Sequence, residues 1–166
     1  MERPLLITSD IHGNEEGVRL LKSAISKFNV DLILSAGDQC PDPYDPFYQS
    51  LLSVRGNCDR FYNYGTLPFP PLFRELELFG RKIYITHGDV YSYEDFPIKD
   101  GDIFISGHTH VPLMIKKKGF YILNPGSPSR PRSSEGPTAI LLDSQCARLI
   151  SLLDLAQISA LSFSSL

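Results

Sequence analysis

The chain has 166 residues, 42% of them hydrophobic, with a formal net charge of −3 at pH 7. Such a length predicts one globular domain with a real core, and the charge argues against a nucleic-acid binder that relies on a basic face. No apolar run approaches the roughly 18 residues that span a bilayer.

The three cysteines, Cys40, Cys58 and Cys146, are odd in number and lack zinc-type pairing. No disulfide framework is expected, and a reducing, cytoplasmic setting is. Met1-Glu2-Arg3-Pro4 runs straight into a strand, so no signal peptide is expected. The one basic run, Lys116-Lys117-Lys118, reads as a solvated hairpin end.

Leu5–Thr8 is a short apolar run, the form of a buried parallel strand. It ends at Ser9-Asp10-Ile11-His12-Gly13-Asn14. Val18, Leu20, Leu21, Ala24, Ile25 and Phe28 then recur at helical spacing and predict a helix over 15–28. Leu32–Leu34 is a second strand, ending at Ala36-Gly37-Asp38, and strand–helix–strand in this order predicts a right-handed βαβ unit. Pro41, Pro43 and Pro46 make 39–50 a loop with at most one helical turn near Phe47–Leu51. Leu52–Val54 is a third strand, before Arg55-Gly56-Asn57-Cys58-Asp59, and 65–71 is a Pro/Gly linker.

Beyond it the pattern changes to hairpins. Phe73–Phe79 and Lys82–Thr86 flank Gly80-Arg81, and the second strand ends at His87-Gly88-Asp89. Residues 91–100 read as loop or short helix. Asp102–Ile105 is a strand ending at Ser106-Gly107-His108-Thr109-His110. Pro112–Ile115 and Phe120–Leu123 form a second hairpin, followed by the loop Asn124-Pro125-Gly126-Ser127-Pro128-Ser129-Arg130-Pro131-Arg132. Ala139–Leu142 and Ala147–Leu152 close the sequence of strands. In the tail, Leu152, Leu155, Ile158 and Leu161 recur every three residues, which fits a docked helix or an extension of the last strand. The reading is one domain over 1–166, with 152–166 as a C-terminal extension of open structure.

Five apolar runs end alike, in a small residue or tight turn and then a metal-competent side chain: Asp10, Asp38, Asn57, His87 and His108. All four histidines of the chain lie at these strand ends, His87 and His108 within the set and His12 and His110 two residues beyond Asp10 and His108. Open α/β sheets place ligand sites outside the carboxyl ends of their strands, and small residues there let the backbone turn and a ligand approach. Asp, His and Asn donors without thiolate suit Mn, Fe, Zn or Ni rather than a structural Cys-type zinc. Seven side chains are too many for one ion and suit two ions sharing a carboxylate.

Asp10-x-His12, Gly37-Asp38, Gly56-Asn57, His87-Gly88 and Gly107-His108-Thr109-His110, in that order, resemble the calcineurin-like metallophosphoesterase superfamily. Gly56-Asn57-Cys58-Asp59, with Asn124-Pro125-Gly126-Ser127 and then Pro131-Arg132, resembles its small YfcE-type phosphodiesterase branch. The resemblance covers about residues 3–150. It implies an α/β fold, a four-layer αββα sandwich of two mixed β-sheets flanked by helices. It also implies that Asp10, His12 and His110 bind a first metal, that Asn57, His87 and His108 bind a second, and that Asp38 bridges both. The implied cofactors are two divalent ions, foremost Mn2+, with Ni2+, Zn2+, Fe2+ or Mg2+ as alternatives.

Two divalent ions and two carboxylates leave the site at about +2, which favours a phosphate-bearing substrate. The expected reaction is hydrolysis of a small phosphodiester or nucleotide-like ester, by in-line attack of a hydroxide bridging the ions. Asp38, Asn57 and His87 are the candidate catalytic residues, and Asn57 also a substrate contact. Many superfamily members carry His after the motif Asn; here Cys58 either donates a proton to the leaving group or packs as a small hydrophobe. Asp89, where related enzymes often show His, either orients a histidine or faces solvent. Arg130 and Arg132 either hold a phosphate oxygen or form a solvated loop. Two other readings are a partner-binding scaffold on the same fold, for which the tail offers a docking surface and a possible homo-oligomer, and a phosphomonoesterase. The complete set of ligands favours the diesterase over the scaffold; the short chain and the missing His after Asn57 favour it over the monoesterase.

Overall fold

Leu5–Thr8 forms β1, whose side chains point alternately to two buried faces. Leu5 and Ile7 face a second sheet, and Leu6 faces the helix α1 (Glu15–Phe28). The helix begins where the Asn14 side chain accepts from Gly17 N, carries Glu15 and Glu16 in its first turn, and stops at Asn29 in the left-handed region (φ 56°). β2 (Ile33–Ser35) and β3 (Leu51–Ser53) run parallel to β1. The 3-10 turn Pro46–Ser50, capped by Asp45, buries Phe47 and Tyr48 against α1.

The hairpin β4 (Phe73–Leu78)–β5 (Arg81–Thr86) starts the other sheet, and β6 (Ile103–Ile105), β7 (Leu113–Lys117) and β8 (Phe120–Asn124) complete it. β5, β6 and β8 are mutually parallel, and β4 and β7 pair antiparallel at the edges. β9 (Thr138–Leu142), β10 (Cys146–Ser151) and β11 (Gln157–Ser162) return to the first sheet. The strand orders are β11-β10-β9-β1-β2-β3 and β4-β5-β6-β8-β7.

The computed structural model describes residues 2–164. Leu34, Val54, Ile83, Ile85, Ile103, Ile105, Leu123 and Ile140 fill the layer between the two sheets. The outer face of the second sheet, with Tyr84, Phe104, Phe120 and Ile122, is covered by Tyr93, Phe96 and Ile98. That fourth layer is an aromatic segment holding one 3-10 turn, Tyr93–Asp95, in place of the helix the resemblance implied. Bulky rings cover a sheet face without helical repeat, so so short an element suffices. No helix among the described residues is long and apolar enough to cross a membrane.

The tail differs from expectation. It is neither a docked helix nor an extension of β10. After a turn it folds back as β11, antiparallel to β10, with a register shift opposite Leu149 and Ile150. Leu161 and Phe163 pack on the inter-sheet core, Leu152 and Leu155 on the cluster beneath α1, and Ile158 is exposed, so the three-residue spacing marks no single face. The end of the tail at Ser165 and Leu166, and Met1 of the N-terminal stretch, lie outside the described residues.

Candidate metal centre

The site lies where the parallel strands of both sheets end. The turns after β1 and β2 are zipped by Asp10 N to Gly37 O (2.9 Å) and His12 N to Asp38 O (2.9 Å). The turns after β5 and β6 are joined by Gly107 N to His87 O (3.0 Å). Among the bonds that cross between the sheets, His108 N donates to Asp10 Oδ2 (3.0 Å) and His87 Nδ1 donates to Ala36 O (2.7 Å). The turns are tight enough to hold Asp10, His12, Asp38, His108 and His110 at positive φ, between 53° and 71°. Such backbone is uncommon outside glycine and gathers at functional sites. A Cβ on Gly107 would sit 2.7 Å from Asp10 Oδ2, and one on Gly56 2.7 Å from Asp38 Cγ, so glycine is required at both close approaches.

All seven expected donors meet here. His110 Nε2 is 3.2 Å from Asp10 Oδ1 and 3.4 Å from His12 Nε2. His12 Nε2 is 3.8 Å from both Asp10 Oδ1 and Asp38 Oδ2. On the other side, His87 Nε2 faces Asn57 Oδ1 (3.0 Å), Asp38 Oδ2 (3.2 Å), His108 Nδ1 (3.3 Å) and Asp10 Oδ1 (3.8 Å). Donor atoms of Asp10, His12 and His110, and those of Asp10, Asp38 and His87, each lie within 4.8 Å of one another. Asp10 is fully buried, and its Oδ1 has no hydrogen-bond partner. An anionic oxygen buried without a donor is costly, and imidazole nitrogens surround this one. The oxygen is the observation that fits a divalent cation.

His87 and His110 are oriented alike. Each gives its Nδ1 proton to a backbone carbonyl, Ala36 O and Arg130 O (2.7 Å each), which turns Nε2 inward toward the buried carboxylates. Burial, and then the nearby Arg130 charge, lower the His12 pKa and keep its ring neutral. Burial would also lower His87, but the Asp38 hydrogen bond and the charges of Asp10 and Asp38 outweigh it and raise it to about 9. Burial alone would raise Asp38; the His87 hydrogen bond, the Cys58 N–H and the nearby histidines instead hold it at about 2. In the metal-free protein a proton thus occupies the place a cation would take on His87.

This fixes the sign of a pH effect. The His87 contribution to stability is complete below its ordinary value of 6.5 and lost as pH rises through about 9. The melting temperature of chelator-treated protein should therefore fall between those pH values while metal affinity rises. Asp38 works in the opposite direction, its stabilisation being lost only as pH falls from 3.8 through about 2. A melting temperature that climbs across the alkaline window would contradict the pairing.

Asn124, Ser127, Ser129 and Asp59 act on this site without a role legible in the sequence. Ser127 Oγ donates to Asp10 O (2.8 Å), and Ser129 Oγ to Ile11 O (2.7 Å). Asn124 Nδ2 donates to Gly107 O (3.0 Å) and Thr109 Oγ1 (3.1 Å). Asp59 Oδ2 accepts from Asp38 N and Gly56 N (2.8 Å each), and Oδ1 from Cys40 N (3.0 Å) and Tyr64 OH (2.9 Å). The mouth, with a cavity volume of about 400 Å³, is lined by His12, Asp38, Asn57, Cys58, His108, Thr109, His110, Arg130 and Arg132. Asp89 is exposed and makes no hydrogen bond to a histidine among the described residues; it faces solvent. All three cysteines are free. Burial, then the Asp38 carboxylate, raises the Cys58 thiol.

Residues 4–146 match the Calcineurin-like phosphoesterase superfamily domain. The chain belongs to that superfamily. Among members of this phosphoesterase superfamily, phosphodiesterase YfcE of Escherichia coli strain K12 is 25% identical to it over 170 residues, covering 90% of this chain and 92% of YfcE. A probable metallophosphoesterase of Methanothermobacter thermautotrophicus is 31% identical over 146 residues, covering 81% of this chain and 83% of the relative. The solved structure of YfcE from E. coli superposes with a TM-score of 0.86 at 22% identity, covering 97% of this chain and 100% of that one. Zinc-complexed Vps29 from Entamoeba histolytica superposes at 0.69 and 20% identity, covering 97% of this chain and 99% of that one. Both superpositions express a shared fold.

Proposed function

We propose that this superfamily member is a dinuclear-metal phosphodiesterase acting on small phosphodiester or nucleotide-like substrates. The orphaned Asp10 Oδ1, buried among the imidazoles, carries the reading. Asp10, His12 and His110 form one half of the donor set, Asn57, His87 and His108 the other, and Asp38 stands between them. Mn2+ is the favoured ion, with Ni2+, Zn2+, Fe2+ or Mg2+ as alternatives. When bound, two such ions supply positive charge for the phosphoryl oxygens and a hydroxide nucleophile at neutral pH.

The protein's own residues do the rest. Asp38 and Asp10 hold the anionic charge of the site on a fixed frame. Exposed Asn57 lines the mouth with its Nδ2 directed to Cys58 Sγ (3.6 Å), and that amide would turn to a phosphoryl oxygen of bound substrate. Cys58, with its thiol pKa raised, stays protonated at neutral pH and is a weak acid beside the leaving group. Leaving groups of low pKa are thereby favoured. Cys58→Ala should keep most of its rate on activated aryl diesters; complete loss of that rate would refute the assignment.

The deciding assay is hydrolysis of bis-p-nitrophenyl phosphate and of p-nitrophenyl phosphate, with Mn, Ni, Zn or Mg added after chelation. No diester hydrolysis under any metal would end the proposal, and a preference for the monoester would give the site to a phosphomonoesterase. The split of the donors is tested separately. His108→Ala and His110→Ala should lower metal content to different degrees, since they empty different halves; full retention of both ions in either variant would contradict it. Against the second reading, a partner-binding scaffold on the same fold, stands the complete donor set, which favours catalysis. The setting we infer is the cytoplasm, and a homo-oligomer fits this reading.

A further inference from the structure

We propose that the site accepts a phosphoester bearing a second phosphate, and that Arg130 and Arg132 hold that second, non-reacting group. This rests on the phosphoesterase reading above and names its substrate class.

The two guanidiniums are unusual within this chain. Arg3, Arg19 and Arg148 each face a carboxylate, of Asp31, Glu16 and Asp143. Arg55, Arg60, Arg74 and Arg81 each donate to a backbone carbonyl. Among the described residues only Arg130 and Arg132, of the chain's arginines, have no such partner for the side chain, and both line the mouth of the candidate metal centre. Both are exposed, so a ligand can reach them.

Their backbone is nevertheless fixed. Arg130 N donates to Ser127 Oγ (2.9 Å), and Arg130 O accepts from His110 Nδ1 (2.7 Å). Arg132 N donates to His110 O (3.1 Å). Pro131 between them restricts φ. The stems thus start from a frame shared with a candidate ligand, and the flexible ends point into a cavity of about 400 Å³, in the size range that holds a nucleotide-sized molecule.

Charge then decides what they meet. Two ions and two carboxylates leave about +2, which a hydroxide and a singly charged phosphodiester bring to about zero. Asp38 is the only acidic residue on the wall among the described residues, and it is already counted. Two guanidinium charges remain unmatched. Guanidinium is the side chain whose fork matches phosphate oxygens, so a second phosphate on the same molecule completes the balance. A mono-anionic diester leaves both arginines solvated.

The test compares thymidine 3′,5′-bisphosphate with thymidine 5′-monophosphate as inhibitors of bis-p-nitrophenyl phosphate hydrolysis, and measures both by calorimetry on Mn-loaded protein. The bisphosphate should bind wild type at least about tenfold more tightly, the scale of one charge-assisted contact. Arg130→Gln with Arg132→Gln should bring the ratio to near one. The readout is a ratio between two ligands, so a general loss of affinity does not imitate it. A ratio near one in wild type, or an unchanged ratio in the double variant, overturns the proposal. If wild type hydrolyses no diester yet shows the ratio by calorimetry, and the variant loses it, the phosphodiesterase reading falls and the second-phosphate site stands.

Discussion

Asp10→Asn is expected to strip the protein of metal and lower diester hydrolysis by more than about 100-fold, since removing even an outer partner of a metal ligand costs about 10–100-fold. The metal-free fold should remain about as stable as wild type. The two oxygens of Asp10 have different tasks. Oδ2 accepts from Ser9 Oγ (2.6 Å) and His108 N (3.0 Å), and an asparagine oxygen can keep both bonds. Oδ1 has no donor and lies 3.2 Å from His110 Nε2. Because His110 gives its other proton to Arg130 O, that Nε2 is an acceptor when the ring is neutral. An amide nitrogen in place of Oδ1 would donate to it, and that bond offsets the lost attraction between the Asp10 charge and protonated His87. Metal content of the purified variant and melting in chelator read the two halves independently. If Asp10 were a turn-former, the outcome would invert, with metal retained and the melting temperature lowered.

The same distinction, between what a side chain offers a ligand and what it offers its own backbone, explains what the sequence made legible. β1, α1 and β2 follow from local signals: a continuous apolar run, a 3.6-residue period and an Asn cap. β3 and β6 are only three residues long, so their bounds shift by a residue from the expected ones. β11 was hidden because its pairing depends on the free edge of β10, which no local window contains. The seven candidate ligands stood out as a set gathered at five strand ends; singly, Asp10 and Asn57 read as readily as turn-formers or caps, and His87 as a satisfied half-buried histidine. Ser127 and Ser129 did not, since their acceptors on Asp10 and Ile11 lie 117 and 118 residues away. Arg130 and Arg132 were legible as two charges beside a turn that either hold a phosphate oxygen or stay solvated. Their lack of protein partners appears once the other arginines are seen to be engaged.

Asp59 is the residue of this kind with the largest expected effect. Asp59→Ala should lose roughly 3–5 kcal/mol of stability, the range for leaving buried polar groups without a charged partner. For a chain of this length that is a melting temperature lower by about 10 °C. The carboxylate is buried, and it binds two turns to each other: Asp38 N and Cys40 N belong to the turn after β2, and Gly56 N to the turn after β3. Alanine would orphan all three amides in the interior. It would also free the Asp38 turn from the Asn57 turn, so the donor between the two halves of the site loses its alignment with the second half. Metal content should drop in parallel with stability, and saturating Mn should restore part of the melting temperature, because an ion that binds only the folded state stabilises it by mass action. Tyr64→Phe is the control, removing one donor to the same carboxylate and leaving the three amide bonds in place; it should cost about 1 kcal/mol. Unchanged metal content in Asp59→Ala, at a lowered melting temperature, would mean that the turns hold their ligands without the tie.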